Sequence, residues 1–203
     1  MRSKVKPSGQ SFTERARREQ IAAGAIAELA ADGFHATSLA GIAARLGISK
    51  GVISYHYAGK AELMTEVVRV VLAQAGAALA PQVQAAPSHA EALRRYIGGN
   101  LAWLDANRPQ AIALTEVLAN ARAVPGLAEY WRQAASEAAA ALAALLAGGQ
   151  RAGEFGDFSA AAYALALRAA IDAVTPRLRD EPDFDVAAYG SELTSLFERG
   201  CAP

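Results

Sequence analysis

Residues 47–63 read GISKGVISYHYAGKAEL, and the reading of this stretch decides the fold around it. Within one or two helical turns it places Ser49, Lys50, Gly51, Ser54, Tyr55 and His56, with Lys60 just beyond. Most of the chain is rich in alanine and leucine and patterned as buried or half-buried helix. A short helix spent on hydrogen-bond donors with little packing area therefore needs a reason. Ser49 has the side chain of an N-cap, Gly47 breaks the helix before it and Gly59 ends the one it opens.

Working outward, Thr37 or Ser38 caps a preceding helix whose Leu39, Ile42, Ala43 and Leu46 form one apolar face. Before that, Ile21, Ala25 and Leu29 recur at i+4 from a helix beginning near Thr13, while Arg15, Arg18 and Glu19 stay polar. Gly33 ends this helix in the conformation that favours glycine, and Phe34 supplies the apolar contact after it. On the other side, a long helix runs from about Lys60 to Ala80, closed by Pro81. Proline, glycine and acidic punctuation then predicts helices at about 88–106, 109–121, 126–150, 159–179 and 184–199. No alternating β-branched run is long enough for a strand. The expected fold is all-α with about nine helices and no internal repeat, divided into an arm (1–11), a three-helix domain (12–59) and a larger helical domain (60–203).

Two short helices joined by Gly47-Ile48, the second opened by a capping serine, have the spacing of a helix-turn-helix. Leu39, Ile42, Leu46, Ile48, Ile53 and Tyr57 would pack together and against the first helix. Ile53 and Tyr57 lie one turn apart and face inward. Gly51, Val52 and Tyr55 then occupy the opposite face, flanked by Lys50 and Ser54 on one side and His56 on the other. A helix entering a DNA major groove needs close approach and donors. Gly51 permits the first, Lys50, Ser54 and Tyr55 supply the second, and Val52 suits a thymine methyl. Thr37, Ser38, Ser49, His56 and Lys60 stand at helix ends or flanks, where hydroxyls, amides and charges suit phosphates. Spacing alone leaves a second possibility open, a solvated turn rich in Ser, Lys and Tyr.

Formal net charge is zero, but its distribution is uneven. Residues 1–60 carry nine Lys/Arg against four Asp/Glu, a net of +5, and the remaining 143 residues balance them at −5. Only the first sixty residues are therefore expected to meet a polyanion. Cys201, the one cysteine, lies two residues from the C-terminus and is expected to be a frayed-tail thiol. No apolar signal segment follows MRSKVKPSGQSF, and no run of roughly 20 apolar residues is free of Gly, Pro and charge. A soluble, cytoplasmic protein with no membrane partner is expected.

FHATSLAGIAARLGISKGVISYHYAGKAELM resembles the N-terminal DNA-binding segment of the TetR family of bacterial transcriptional repressors. The likeness is carried by Gly33-Phe34, Ala36-Thr37-Ser38-Leu39, Ile42-Ala43, Leu46 to Gly51, Tyr55-His56-Tyr57 and Lys60 to Leu63, over about residues 13–66. Ser54 and Tyr57 depart from the family's frequent tyrosine and phenylalanine at those places. The resemblance implies a homodimer that sets one recognition helix per subunit in successive major grooves of a palindromic double-stranded operator. Tyr55 and Lys50 are then the main specificity contacts, with Arg2, Lys4, Lys6, Arg15, Arg17 and Arg18 available to phosphates or the minor groove.

In the family the C-terminal region diverges and binds an inducer. Here Gly98-Gly99 interrupts the helix YIGGNLAWLDAN, at a cost of roughly 2 kcal/mol relative to alanine, which points to close packing, a kink or room for a ligand. Trp103, Glu116, Asn120 and Trp131 are the candidate lining of a pocket for a small-molecule effector of unknown identity, although each aromatic also suits ordinary core. Two stripes, Ala162, Leu165, Ala169, Val174 and Val186, Tyr189, Leu193, Leu196, Phe197, are expected at a four-helix interface with a second subunit or in the chain's own core. His35, His56 and His89 are scattered without metal-ligand spacing. No nucleophile elbow, phosphate loop or zinc-protease motif appears, so neither an enzyme nor a cofactor is expected.

Overall fold

The computed structural model describes residues 12–203; the basic arm, with Arg2, Lys4 and Lys6, lies outside the described residues. Among these, ten α-helices and a short 3-10 turn occur in the order α1 (Phe12–Ala36), α2 (Leu39–Leu46), α3 (Lys50–His56), α4 (Lys60–Gln84), α5 (His89–Ala106), α6 (Arg108–Ala119), the 3-10 turn Ala121–Ala123, α7 (Leu127–Arg151), α8 (Ala160–Asp172), α9 (Val174–Asp180) and α10 (Val186–Cys201).

Local signals explain most boundaries. Ser38, Ser49, Ser88, Ser159 and Asp185 cap α2, α3, α5, α8 and α10, each side chain accepting a hydrogen bond from the backbone N–H three residues on. Gly47 closes α2 in the left-handed conformation (φ 64°, ψ 31°). At Gly33 the backbone leaves helical geometry (φ 77°, ψ 173°), and α1 is completed by one further turn beyond that bend.

Three expectations need correction. The helix expected over 159–179 is cut at Ala173 into α8 and α9. Pro176 has no N–H for the Asp172 carbonyl and its ring would clash there, which breaks the run. Pro81, in contrast, does not close α4, which continues to Gln84 through an exposed turn. Cys201 is no frayed thiol: it ends α10 buried in the core, its Sγ 3.4 Å from the Glu198 carbonyl oxygen, and burial pushes its pKa up.

Two apolar cores result. The first gathers α1 to α4 with Ala113 and Val117 of α6, Val124, and Leu127 at the start of α7. The three-helix domain thus shares its core with the body, and residue 59 is a boundary in sequence rather than in packing. Leu63, Met64, Val67, Val68 and Val71 make the first half of α4 part of that core. By length and composition α4 could also cross a membrane, at a mean hydropathy of 1.5, although Arg69, Gly76 and Pro81 interrupt it. The second core joins α5, α7, α8, α9 and α10 around Leu93, Ile97, Leu142, Leu146, Leu167 and Ile171. Gly99 lets α5 approach α4, since a Cβ there would stand 2.6 Å from Leu79 Cδ1, whereas a Cβ on Gly98 would meet open space. Close packing therefore accounts for one glycine of the pair.

Candidate functional site

The candidate nucleic-acid interface is built from the inside out. Ile53 and Tyr57 are fully buried, as their one-turn spacing predicts, and fix α3 on α1 and α2. Where α1 crosses α2, Gly24 is needed, because a Cβ on it would stand 2.8 Å from Leu46. Nearby, the largely buried Glu28 receives Arg45 Nε at 2.7 Å, joining α1 to α2. Arg18 Nη1 donates to the His56 carbonyl at 2.5 Å and so receives the end of α3.

With its inner face fixed, α3 turns Ser49, Lys50, Gly51, Ser54 and Tyr55 to the surface, and Tyr55 is 79% exposed. Val52 and His56 are half-buried at the edges of that face, the His56 ring standing edge-on to Tyr55 with centroids 5.0 Å apart. Ser38 is exposed at the start of α2, its Oγ accepting from the Gly41 N–H at 3.0 Å. These residues form one contiguous polar surface with a cation, four hydroxyls and an approachable backbone at Gly51. Such a surface can donate to phosphates and to base edges.

Two expected contacts are placed otherwise. Thr37 is 2% exposed, and its hydroxyl donates to the Gly33 carbonyl at 2.8 Å, closing the turn before α2; it has no surface to offer a phosphate. Lys60 Nζ donates to the Phe34 carbonyl at 2.5 Å and lies 4.2 Å from the centre of the Phe34 ring, with burial lowering its pKa. Its ammonium is committed within the protein. Arg18 is similarly occupied, with Glu62 and Glu66 at 3.8 and 4.0 Å, while Arg15 and Arg17 reach Glu19 and Gln20 on an exposed stretch of α1.

Of the four residues of the expected effector pocket, only Glu116 lines either of two clefts beside α1. Trp103 and Trp131 pack, half-buried, against the first core with Leu114, Leu118 and Tyr130. Asn120 turns back to donate to the Glu116 carbonyl at 2.9 Å. The buried Glu116 carboxylate accepts from the Phe34 N–H at 2.9 Å through one oxygen and from the Arg179 guanidinium through the other. A cleft of about 430 Å³ adjoins that pair, lined by Leu29 to His35, Glu116 and Arg179. Another, of about 480 Å³, lies between α1, α4 and α6 and is lined by Ala23, Ile26, Ala27 and Val70 with Glu19, Gln74 and Gln110. Neither reaches the tryptophans. The tie from Glu116 to Phe34 spans 82 residues, and nothing in local spacing announces it. A lone glutamate in an apolar stretch of helix was the one visible sign.

Of the two expected interface stripes, Val174, Val186 and Leu193 are core, whereas Ala162, Ala169, Leu165 (66% exposed) and Leu196 (57% exposed) face outward. Tyr163 and Tyr189 tie α8 and α10 together behind them: each hydroxyl donates to a carbonyl of the other helix, Phe197 and Ala170 respectively. No group of three His, Cys, Asp or Glu side chains among the described residues is placed to hold a metal ion.

Comparison with known proteins bears on both the helix-turn-helix and the body. Residues 21–67 match the bacterial regulatory proteins of the tetR family. The chain is 31% identical over 86 residues to the HTH-type transcriptional regulator BetI of Serratia proteamaculans, a match covering 41% of this chain and 43% of that protein. With BetI of Vibrio atlanticus it shares 33% identity over 70 residues, 34% and 35% of the two chains. The matched stretch thus spans less than half of each relative. Over nearly the whole length, the fold is that of a TetR-like transcriptional regulator from Rhodococcus sp. RHA1 (TM-score 0.72, 28% identity, 91% of this chain and 94% of that one). It is also that of a putative transcriptional regulator from Saccharomonospora viridis in complex with choline (TM-score 0.83, 22% identity, 93% and 99%). Residues 21–67 thus match the helix-turn-helix segment of the tetR family of bacterial regulatory proteins, and the chain as a whole shares the fold of such regulators.

Proposed function

We propose that the chain is a cytoplasmic, ligand-responsive transcriptional repressor that binds a palindromic double-stranded DNA operator as a homodimer. The observation that carries this reading is the split character of α3, with Ile53 and Tyr57 sealed in the core and Lys50, Gly51, Ser54 and Tyr55 on the surface. In this reading Tyr55 and Lys50 reach base edges, Val52 a thymine methyl, and Ser38, Ser49 and His56 the phosphates. The outward Ala162, Leu165, Ala169 and Leu196 on α8 and α10 support a second subunit as the cover of that face.

Release from the operator falls to a small molecule. The putative regulator of S. viridis, which shares this fold, is in complex with choline, and this supports the reading. Trp103 and Trp131 remain the candidate aromatic contacts, whereas Glu116 and Asn120 have bonds of their own. The effector acts by favouring a subunit arrangement in which the two recognition helices no longer match half-sites about 34–36 Å apart.

The test is a fluorescence-anisotropy titration against duplex DNA from upstream of the protein's own gene, with a scrambled duplex and two salt concentrations. Tight, selective binding that weakens steeply with salt is expected. Indifference to every DNA tried would overturn the reading.

A further inference from the structure

The peptide of Phe34 is held at both ends by groups from outside the helix-turn-helix. Its N–H donates to Glu116 Oε2 of α6 at 2.9 Å, and its carbonyl accepts from Lys60 Nζ, at the head of α4, at 2.5 Å. This peptide directly follows the bend at Gly33, whose positive φ of 77° suits glycine and where a Cβ would stand 3.1 Å from Glu116 Oε2. Three residues on, Thr37 closes its N–H and hydroxyl on the Gly33 carbonyl, and Ser38 starts α2. The placing of Phe34 therefore sets where α2 begins, and α3 follows α2 through the Gly47 turn.

Glu116 has a second partner. Its other oxygen receives the Arg179 guanidinium of α9, the short helix between α8 and α10. The two ends of this pair differ in solvent access: 53% of the Arg179 side chain is exposed, against 11% of Glu116. Arg179 can leave for water at little cost. Glu116 cannot follow it, and a buried carboxylate stripped of its cation must take up water, take up a proton or move α6.

We propose that Glu116 is a positioning residue for the helix-turn-helix, passing the position of Arg179 on α9 to the Phe34 peptide and so to the placement of α2 and α3. This rests on the DNA-binding reading above for its functional meaning, but the mechanical link is independent of it. Displacement of α9, from the α8–α10 face or from the adjoining cleft, withdraws the guanidinium, slackens the hold of Glu116 on the bend and lets the recognition helix shift.

Amide hydrogen exchange over residues 33–38, read beside thermal stability, tests the link in full-length Arg179→Gln, Glu116→Ala, Glu116→Gln and a control, Arg177→Gln, whose side chain pairs with Glu181 on the surface. Exchange at Phe34 should quicken about tenfold in the first two, with protection in α5 and α8 unchanged. Glu116→Gln, which keeps an acceptor for the N–H, and Arg177→Gln should stay near wild type. Affinity for a duplex that binds the wild type should fall in step with exchange. Unchanged exchange in Arg179→Gln would overturn the link, and faster exchange with undiminished affinity would overturn its positioning role. Should Glu116→Ala fail to fold, Arg179→Gln, altered at a half-exposed site, still decides. If the wild type binds no DNA, the operator reading fails, while exchange alone still tells whether Arg179 governs Phe34.

Discussion

The Arg18 guanidinium lies 4.2 Å over the ring of Tyr57, and the Tyr57 hydroxyl donates back to the Arg18 carbonyl at 3.3 Å. The two residues, 39 apart in sequence, thus hold each other by a cation over a π face and by a hydrogen bond. Arg18 Nη1 also carries the His56 carbonyl, so this pair receives the end of α3 on α1. The Tyr57 hydroxyl, buried with its ring, has thus found a partner. The arginine, a candidate for a phosphate, is used as a brace.

Alkaline stability should report on this brace. Burial pushes the Tyr57 phenol up to about 12 from its ordinary 10.0. The folded chain therefore binds that proton more tightly than the unfolded chain. The corresponding stability is present below pH 10 and is lost as the pH rises towards 12. Tyr163 is raised by burial in the same direction, so Tyr57→Phe should flatten the alkaline limb of a thermal-melt series only in part. At pH 7 the same substitution should cost about 1 kcal/mol, or roughly 2–4 °C in Tm. An alkaline limb unchanged in Tyr57→Phe would sink the assignment.

Elements made by local rules were legible in the sequence. Ser38 and Ser49 as caps, Gly47 as the turn, and Ile53 and Tyr57 as the buried face all follow from neighbours within four residues, and the structure has them so. What escaped depends on contacts distant in sequence. Thr37 looks like a surface hydroxyl until the bend at Gly33 turns it inward, and Lys60 looks like a phosphate ligand until Phe34 is found beneath it. Glu116 reads as a candidate pocket lining, but its partners at 34 and 179 lie 82 and 63 residues away, beyond any periodic signal. The break before α9 was readable from Pro176, given only that its missing N–H falls opposite Asp172.

Exposure separates binding from folding at Tyr55. With 79% of it in solvent, Tyr55→Ala should leave Tm within about 1 °C while weakening the specific duplex tenfold or more, about 1–3 kcal/mol. Lys50→Ala should weaken specific and scrambled duplexes alike and lower the salt slope by about one if its contact is a phosphate. If it reads a base, the loss should be confined to the specific duplex. A Tyr55→Ala protein that binds as tightly as wild type would remove Tyr55 from the interface.

Glycines in helices separate tight packing from mere tolerance. Gly98 is exposed, with nothing within 4 Å of an added Cβ, so Gly98→Ala should stabilise the protein by about 1 kcal/mol through helix propensity. Gly149 is buried on α7, and a Cβ there would stand 2.2 Å from the Phe155 ring and 3.0 Å from His89 Cβ. Gly149→Ala must push that ring out of the second core, at about 1–3 kcal/mol. Chemical denaturation of both variants should give shifts of opposite sign. Equal shifts would mean that the Phe155 ring yields freely.

The outward face of α8 and α10 makes the oligomer testable without DNA. Leu165 and Leu196 are large apolar residues in solvent, set among Ala162 and Ala169, small enough for another helix to approach closely. Behind them the tyrosine hydroxyls of Tyr163 and Tyr189 hold the two helices in register. A charge on that face should therefore leave the fold intact while opposing a second subunit, because burying an unpaired carboxylate costs several kcal/mol. Light scattering at micromolar concentration should give a dimer for the wild type and a monomer of unchanged helicity for Leu165→Glu combined with Leu196→Glu. A wild-type monomer would leave the apolar face without its proposed cover, and two recognition helices could not then be spaced by the protein itself. A dimer that survives both charges would place the interface elsewhere on the body.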